Sequence, residues 1–166
     1  VEGGSVFMAV QNYSYQYAPT GREMDIFSEN KNPGVNALLK EWGLEVDENI
    51  LVDQQHDVVN LSGGMAVGPF AMSIPVKVPP QILVATSGMN PDVSITSRLS
   101  SLFYFWGTAL NLDSGVLEDQ DLNVVNLLQS TEQSWTVPFR EGQLRPDDLI
   151  ARGSESRQGP LPLAVM

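Results

Sequence analysis

The chain has 166 residues, of which 42% are hydrophobic and 17% are charged. This length and composition are typical of one globular domain and exclude a mainly disordered chain. Nine Lys and Arg residues stand against 20 Asp and Glu residues, so the formal net charge is −11. Such an acidic surface repels phosphate backbones and anionic lipid headgroups, which argues against nucleic-acid binding and polybasic membrane docking.

The first predicted element is a buried strand at residues 5–10, an apolar run that follows a Gly-Gly turn. Tyr13, Tyr15 and Tyr17 come next, and in an extended segment these alternating residues would share one face. The sequence favours an edge hairpin or ordered loop that packs the three rings. A platform for carbohydrate or peptide is the alternative.

Two helices are predicted from apolar stripes. Residues 33–42 follow a potential capping asparagine, and residues 95–106 follow potential capping hydroxyls. In both segments apolar residues recur three and four positions apart, as on the buried face of a helix. The four side chains that we expect to be buried on these faces are Leu38, Trp42, Leu99 and Phe103.

Short strands are predicted around these helices. They cover residues 44–46, 50–52, 81–87, 122–128 and 134–137. Residues 54–80 are predicted to be loop-like, because the prolines at positions 75, 79 and 80 exclude a central strand. A helix that returns into a strand is the usual unit of an α/β fold, so we expect an α/β domain with residues 5–10 and 82–87 among its central strands.

Catalytic and metal-binding signals are weak. Cysteine is absent, which excludes disulfides, thiolate metal sites and cysteine nucleophiles. His56 is the single histidine, and no Gly-x-Ser-x-Gly motif exposes a serine with which it could form a triad. Asp53, His56 and Asp57 offer only a partial metal shell. We therefore predict no catalytic residue, no metal and no cofactor, and we interpret His56 as a solvated loop residue.

The domain organisation is predicted to be simple. No repeat or internal boundary divides residues 1–166, and residues 140–159 form a polar connector. Both ends have the character of a piece of a longer protein, since Val1 is not an initiator and the chain stops inside an apolar stretch. No apolar run approaches the ~18 residues that a membrane span requires.

Six motifs, read in order, resemble one family. They are Gly3-Gly4 before an apolar strand, residues 32–44 (NPGVNALLKEWGL), 50–53 (ILVD), 90–99 (NPDVSITSRL), 127–135 (LLQSTEQSW) and 159–165 (GPLPLAV). Their order and spacing resemble the extracytoplasmic domain of GldG-like proteins. These proteins are the auxiliary component of uncharacterised and gliding-motility-associated ABC-type transport systems.

This resemblance implies a membrane-anchored parent protein whose domain lies on the extracytoplasmic (periplasmic) face of the cytoplasmic membrane. An ABC permease and an ATPase would be its partners, and the membrane would be reached only through segments outside these residues. The implied fold is a three-layer α/β sandwich with a mostly parallel central sheet, flavodoxin-like or glutamine-amidotransferase-like. The domain would be N-terminally truncated, because the family's first strand–helix units are missing. The family brings no established catalytic residues.

Three functions follow as hypotheses. The first is a non-catalytic accessory domain that acts in protein–protein or substrate interaction. The second is a solute-binding domain that recognises sugar or peptide through Tyr13, Tyr15, Tyr17 and Trp135. The third is a hydrolase of amidotransferase-like fold, for which the chain offers no cysteine and one histidine. Self-association is also expected if residues 13–17 do not cover the open edge of the first strand.

Overall fold

The computed structural model of the protein describes residues 5–20, 23–67, 70–145, 148–149 and 158–166. Within these residues the chain is mostly β. The strands are β1 (Tyr13–Thr20), β2 (Glu23–Asn30), β3 (Leu44–Val46), β4 (Ile50–Val52), β5 (His56–Val67), β6 (Phe70–Ala85), β7 (Ser101–Phe105), β8 (Leu110–Leu112), β9 (Asn126–Gln129), β10 (Trp135–Val137), β11 (Gly142–Leu144) and β12 (Pro162–Val165). The helices are α1 (Asn36–Leu39) and α2 (Ser114–Asp119), with 3-10 turns at Lys40–Trp42 and Thr86–Gly88.

The described strands form small sheets in which every pair is antiparallel. The strand orders are β1-β2-β11 and β5-β6-β7, and the two-stranded sheets are β3-β8, β4-β10 and β9-β12. Parallel strands need long crossovers, usually helical ones, but α1 and α2 have only four and six residues. The expected three-layer α/β sandwich with a mostly parallel central sheet is therefore wrong.

Strand β4 is buried on both faces and separates two hydrophobic clusters. Ile50, Leu51 and Val52 are each 0% exposed. Successive side chains of a strand point to opposite faces, so the first and third residues enter one cluster and the second enters the other. The first cluster contains Ile26, Ile50, Val52, Val78, Trp106, Trp135, Leu144 and Leu149, and the second contains Leu51, Ile82, Val84, Met89, Ala109, Leu161 and Leu163.

The segment that was expected to be loop-like forms the hairpin of β5 and β6, and β6 is the central strand of its sheet. Between Lys77 and Ile82, β6 advances five residues while β5 advances two, which makes a bulge. Pro79 and Pro80 lie in this bulge, where the missing N–H groups interrupt no regular ladder. The expectation of a loop-like segment is therefore wrong. β6 pairs with β7 only over residues 81–85, so it is not flanked on both sides by strands at any of the three prolines.

Residues 5–10 form no strand, contrary to the sequence prediction. They are irregular, and Phe7 is 94% exposed. No described strand pairs with them, so the apolar run lacks the partner that would bury it. Self-association was expected from the open edge of this strand, and that expectation loses its basis because the strand does not form.

The helix expected over residues 95–106 is also wrong. The chain turns through residues 91–98 and then forms β7, which pairs with β6. Leu102 and Tyr104 are half-buried, whereas Phe103 and Phe105 are exposed. The same apolar residues thus satisfy the two-residue period of a strand, for which aromatic side chains have a high propensity.

The helix expected over residues 33–42 is confirmed in part. Helix α1 and the following 3-10 turn cover residues 36–42, and Gly43 ends them with a φ of 70°. One turn of α-helix buries Leu39, but it is too short to bury a stripe across seven residues. The expectation of four buried side chains is wrong, since Leu38, Trp42, Leu99 and Phe103 are all exposed.

The short apolar strands are predicted more accurately. Strands β3, β4 and β10 lie where the sequence places them, and so does the C-terminal part of β6. Strand β9 covers only the second half of the expected residues 122–128. The hairpin expected around the tyrosines is present as β1 and β2, with β1 at the edge of its sheet.

We predict that Leu51→Ala lowers the free energy of unfolding by about 2–5 kcal/mol, because it leaves a cavity in the second cluster. Leu38→Ala is the matched control, since the Leu38 side chain is 43% exposed. We expect this control to change the free energy by less than about 0.5 kcal/mol. Urea denaturation measures both, and similar values for the two variants would contradict the assignment of the core.

Candidate functional site

A cleft of about 280 Å³ lies beside the C-terminal half of β6. Leu83 and Ala85 of β6 and Pro160 form apolar parts of its lining. Polar parts come from the loops that follow β4 and β9, which contribute Gln55 and Thr131. A mixed lining of this kind fits a small ligand with few polar groups.

Asp53 directly follows β4 and lines this cleft, and it is 0% exposed. Its Oδ1 accepts hydrogen bonds from the Gln55 N–H at 2.9 Å and the Thr131 hydroxyl at 2.7 Å. Its Oδ2 accepts the Thr131 N–H at 2.9 Å. A buried carboxylate must be hydrogen-bonded, and these donors satisfy that requirement without a cation. Asp53 therefore fixes the end of β4 to a loop 78 residues further along the chain.

Two buried serines lie next to this contact. Ser134 donates its hydroxyl to the Thr131 carbonyl at 2.8 Å, and Ser130 accepts the Leu161 N–H at 2.8 Å. Their hydroxyl oxygens are 2.7 Å apart. Since the proton of Ser134 is already committed to a carbonyl, Ser130 must donate to Ser134. Both hydroxyls are thus occupied by internal hydrogen bonds.

His56 does not extend this network into a catalytic relay. Its Nδ1 lies 2.8 Å from the Asp53 carbonyl oxygen, and since a carbonyl only accepts, Nδ1 carries the proton. The imidazole therefore bonds to the backbone of Asp53 and not to its carboxylate. Among the described residues, no three His, Asp or Glu side chains are placed to hold a metal ion.

The aromatic residues predicted as a ligand surface lie apart from the cleft lining. Tyr13 is buried and stacks on Phe139 with ring centroids 3.7 Å apart, while its hydroxyl donates to the Glu48 carbonyl at 2.5 Å. Trp135 is also buried, in the first hydrophobic cluster. Of the four predicted residues, Tyr17 is the one that is exposed, at 43%. The structure thus packs Tyr13 and Trp135 into the core, whereas Tyr17 lies at the surface.

Tyr15 and Tyr17 both contact Trp106. Tyr15 stacks on the indole with centroids 4.1 Å apart, and Tyr17 meets it edge-on and accepts its Nε1–H. The Tyr17 hydroxyl also accepts the Gln81 side-chain amide at 3.1 Å. The Tyr15 hydroxyl is buried and has no hydrogen-bond partner among the described residues. These contacts fix the β1–β2 hairpin to the C-terminal end of β7.

Burial also changes the acidity of the tyrosines. Desolvation raises the pKa of the Tyr104 hydroxyl to about 12 and raises the pKa of Tyr15 well above its ordinary value. The pKa of Tyr13 is raised by desolvation first and then by the negative charges of Glu48 and Asp47. All three hydroxyls are therefore neutral at physiological pH, and none is activated as a base or nucleophile.

The comparison with protein families gives one result for the chain. The family described as "ABC-type uncharacterized transport system" matches residues 1–166. The chain belongs to this family. The resemblance to GldG-like auxiliary domains is confirmed, and the chain is an auxiliary component of an ABC-type transport system. No curated protein and no solved structure matches it.

Transport systems act at membranes, so membrane-spanning helices are of interest in this family. No helix in the described part of the chain has the length and apolar character that crossing a bilayer requires.

The contact between Asp53 and Thr131 was not predicted from the sequence. One signal was available, because an acidic residue directly after three consecutive apolar strand residues is drawn into the core with its strand. Its partner could not be identified, because Thr131 is 78 residues away in sequence. The serines at positions 130 and 134 carry no comparable signal.

We predict that Asp53→Asn lowers the free energy of unfolding by about 1–3 kcal/mol, because the new amide donor faces N–H or O–H donors. Asp57→Asn is the control, because that residue is exposed and its carboxylate accepts a hydrogen bond from the neighbouring Val58 N–H. We expect a change within about 0.5 kcal/mol for the control. Equal losses in urea denaturation would show that Asp53 does not hold the two segments together.

We also predict that Tyr104 stays protonated at about pH 11 in the folded protein but ionises on unfolding. The folded pKa is about 12 and the ordinary value is 10.0, so stability is lost as pH rises through this interval. Tyrosinate absorbance in buffer and in urea measures the difference. Tyr104→Phe should reduce it, and a tyrosine titration that is the same in both solvents would contradict the burial of this ring.

Proposed function

We propose that the chain is a non-catalytic accessory domain that acts on the extracytoplasmic face of the cytoplasmic membrane. Its role in the transport system would be to contact other proteins or the transported substrate. Family membership supports the transport role. The gliding-motility association that the resemblance implies belongs to the same proposal, as does the membrane anchor of the parent protein.

The observation that carries the non-catalytic part is the state of the polar groups beside the cleft. Asp53, Ser130 and Ser134 are buried, and their oxygens are engaged in internal hydrogen bonds. A nucleophile needs a general base within hydrogen-bond reach, and His56 is bonded to a backbone carbonyl instead. This chemistry supports a domain that is stabilised by its polar residues and does not use them in a reaction.

Binding of a solute is the second candidate, and the cleft is the observation that favours it. Its volume of about 280 Å³ is just below the range of about 300–1,000 Å³ that ligand pockets usually have. Recognition through Tyr13, Tyr15, Tyr17 and Trp135, which the sequence suggested, would require the buried rings to become accessible. A solute would instead meet residues such as Gln55 and Gln129 in the cleft lining.

We predict that the full-length protein, tagged and purified from cross-linked native membranes, is enriched together with an ABC permease and an ATPase. The physical reason is that an auxiliary subunit must contact its transporter to act on it. Quantitative mass spectrometry measures the enrichment against membranes that contain the untagged protein. Recovery of cytoplasmic proteins alone would contradict the proposal. In intact spheroplasts, protease should digest the domain, and complete protection would contradict the extracytoplasmic location.

A further inference from the structure

The acidic residues of the chain are excluded from one continuous stretch of sequence. Residues 58–91 contain none of the 20 Asp and Glu residues, and Lys77 is their single charged residue. Most of β5 and the whole of β6 fall within this stretch. A chain with a net charge of −11 thus has one long hairpin that is free of negative charge.

Much of this hairpin has no further strand beside it among the described residues. We call residues 58–67 of β5 and 70–77 of β6 the arm. The arm's strands pair with each other, whereas β6 pairs with β7 only over residues 81–85. At about 3.3 Å per residue, the arm is about 30 Å long. An isolated two-stranded hairpin is marginally stable in water, so the arm is suited to accept another strand.

The two edges of the arm differ in their ability to accept a strand. Pro75 lies in β6 opposite Asn60 and offers no N–H donor. An edge with a proline is suited to remain without a further strand. The arm's β5 segment has neither proline nor a charged residue. Exposed edge strands are usually protected by lysine, proline, another charge or a bulge. Residues 58–62 have none of these, and the bulge of β5 lies beyond them, between Ser62 and Ala66. The open edge is therefore that of β5.

We propose that β5 pairs antiparallel with β5 of a second copy of this chain, which joins the two arms into one sheet. Such a contact is self-complementary and closes as a two-fold symmetric dimer. Antiparallel pairing places the acidic remainders of the two chains at opposite ends of the joined arms, about 30 Å apart. This separation exceeds the Debye length of about 8 Å at physiological ionic strength, so their repulsion is screened.

Insertion of the arm into a lipid bilayer is the less favourable alternative. The hydrocarbon region does not tolerate an open sheet edge, because unpaired N–H and C=O groups find no partner there. A second β5 strand supplies those partners directly. The backbone pairing of the arm thus favours another polypeptide strand over lipid.

The test uses two substitutions in residues that lie directly opposite each other in the hairpin, Ser62 of β5 and Ser73 of β6. Sedimentation velocity from about 1 µM to about 1 mM should show a monomer–dimer equilibrium for the natural chain. Ser62→Lys should raise the dimer Kd at least about tenfold, because like charges meet across the new pairing. Ser73→Lys should change the Kd by no more than about threefold, since its strand is one further away.

Cysteine cross-linking provides a second measurement. The chain has no cysteine, so each introduced thiol is unique. Single-cysteine variants at positions 59–62 should include at least one that forms an interchain disulfide under mild oxidation. Variants at the opposing positions 73–76 should form none, because a disulfide needs Cα atoms within about 7 Å. Circular dichroism and urea denaturation confirm that each variant is folded before its data are used.

Three outcomes would overturn the proposal. One is a natural chain that is monomeric over the whole concentration range. Another is a dimer that Ser62→Lys and Ser73→Lys weaken equally, or that cross-links only through β6. The third is a monomer that sediments with neutral phosphatidylcholine vesicles and loses that binding in the Ser62→Lys variant, which would assign the arm to lipid.

Discussion

The double-sided burial of β4 is the constraint on which the rest of the structure depends. Three residues supply fully buried side chains to two separate clusters, so displacing this strand would open a cavity in both. A strand of three residues has few backbone hydrogen bonds of its own and pairs with β10 alone in its sheet. Its position is therefore secured by packing on both faces and by the carboxylate of Asp53, which ends the strand and bonds to Thr131.

This constraint also determines the chemical character of the cleft. An acidic residue drawn into the interior by its strand must find donors, and Asp53 finds them in Gln55 and Thr131. The neighbouring serines are likewise bonded to each other and to the backbone. These polar groups have residue types found in catalytic sites. In the structure they join β4, β9 and β12.

The sequence predicted elements whose signal is local and missed those whose signal depends on distant partners. Strand β4 is predictable because an apolar run bounded by polar residues needs no further information. Residues 5–10 have the same character but no partner strand, and burial is a property of the pair. At residues 95–106 the spacing of apolar residues fits both periods, and pairing of Phe103 with Leu83 decides for a strand. The Asp53 site was predictable as a buried acid, but its partner was not.

Pro79 and Pro80 lie directly before the part of β6 that has strands on both sides. Pro79 and Pro80 are almost fully buried in the bulge, and although they donate nothing, their carbonyls accept the N–H groups of Asp53 at 3.2 Å and Trp106 at 2.8 Å. These two bonds tie β6 to the end of β4 and to the end of β7. Directly after the two prolines, β6 begins to pair with β7 at Gln81. The same residues thus end the regular pairing of the arm and anchor its base to the core.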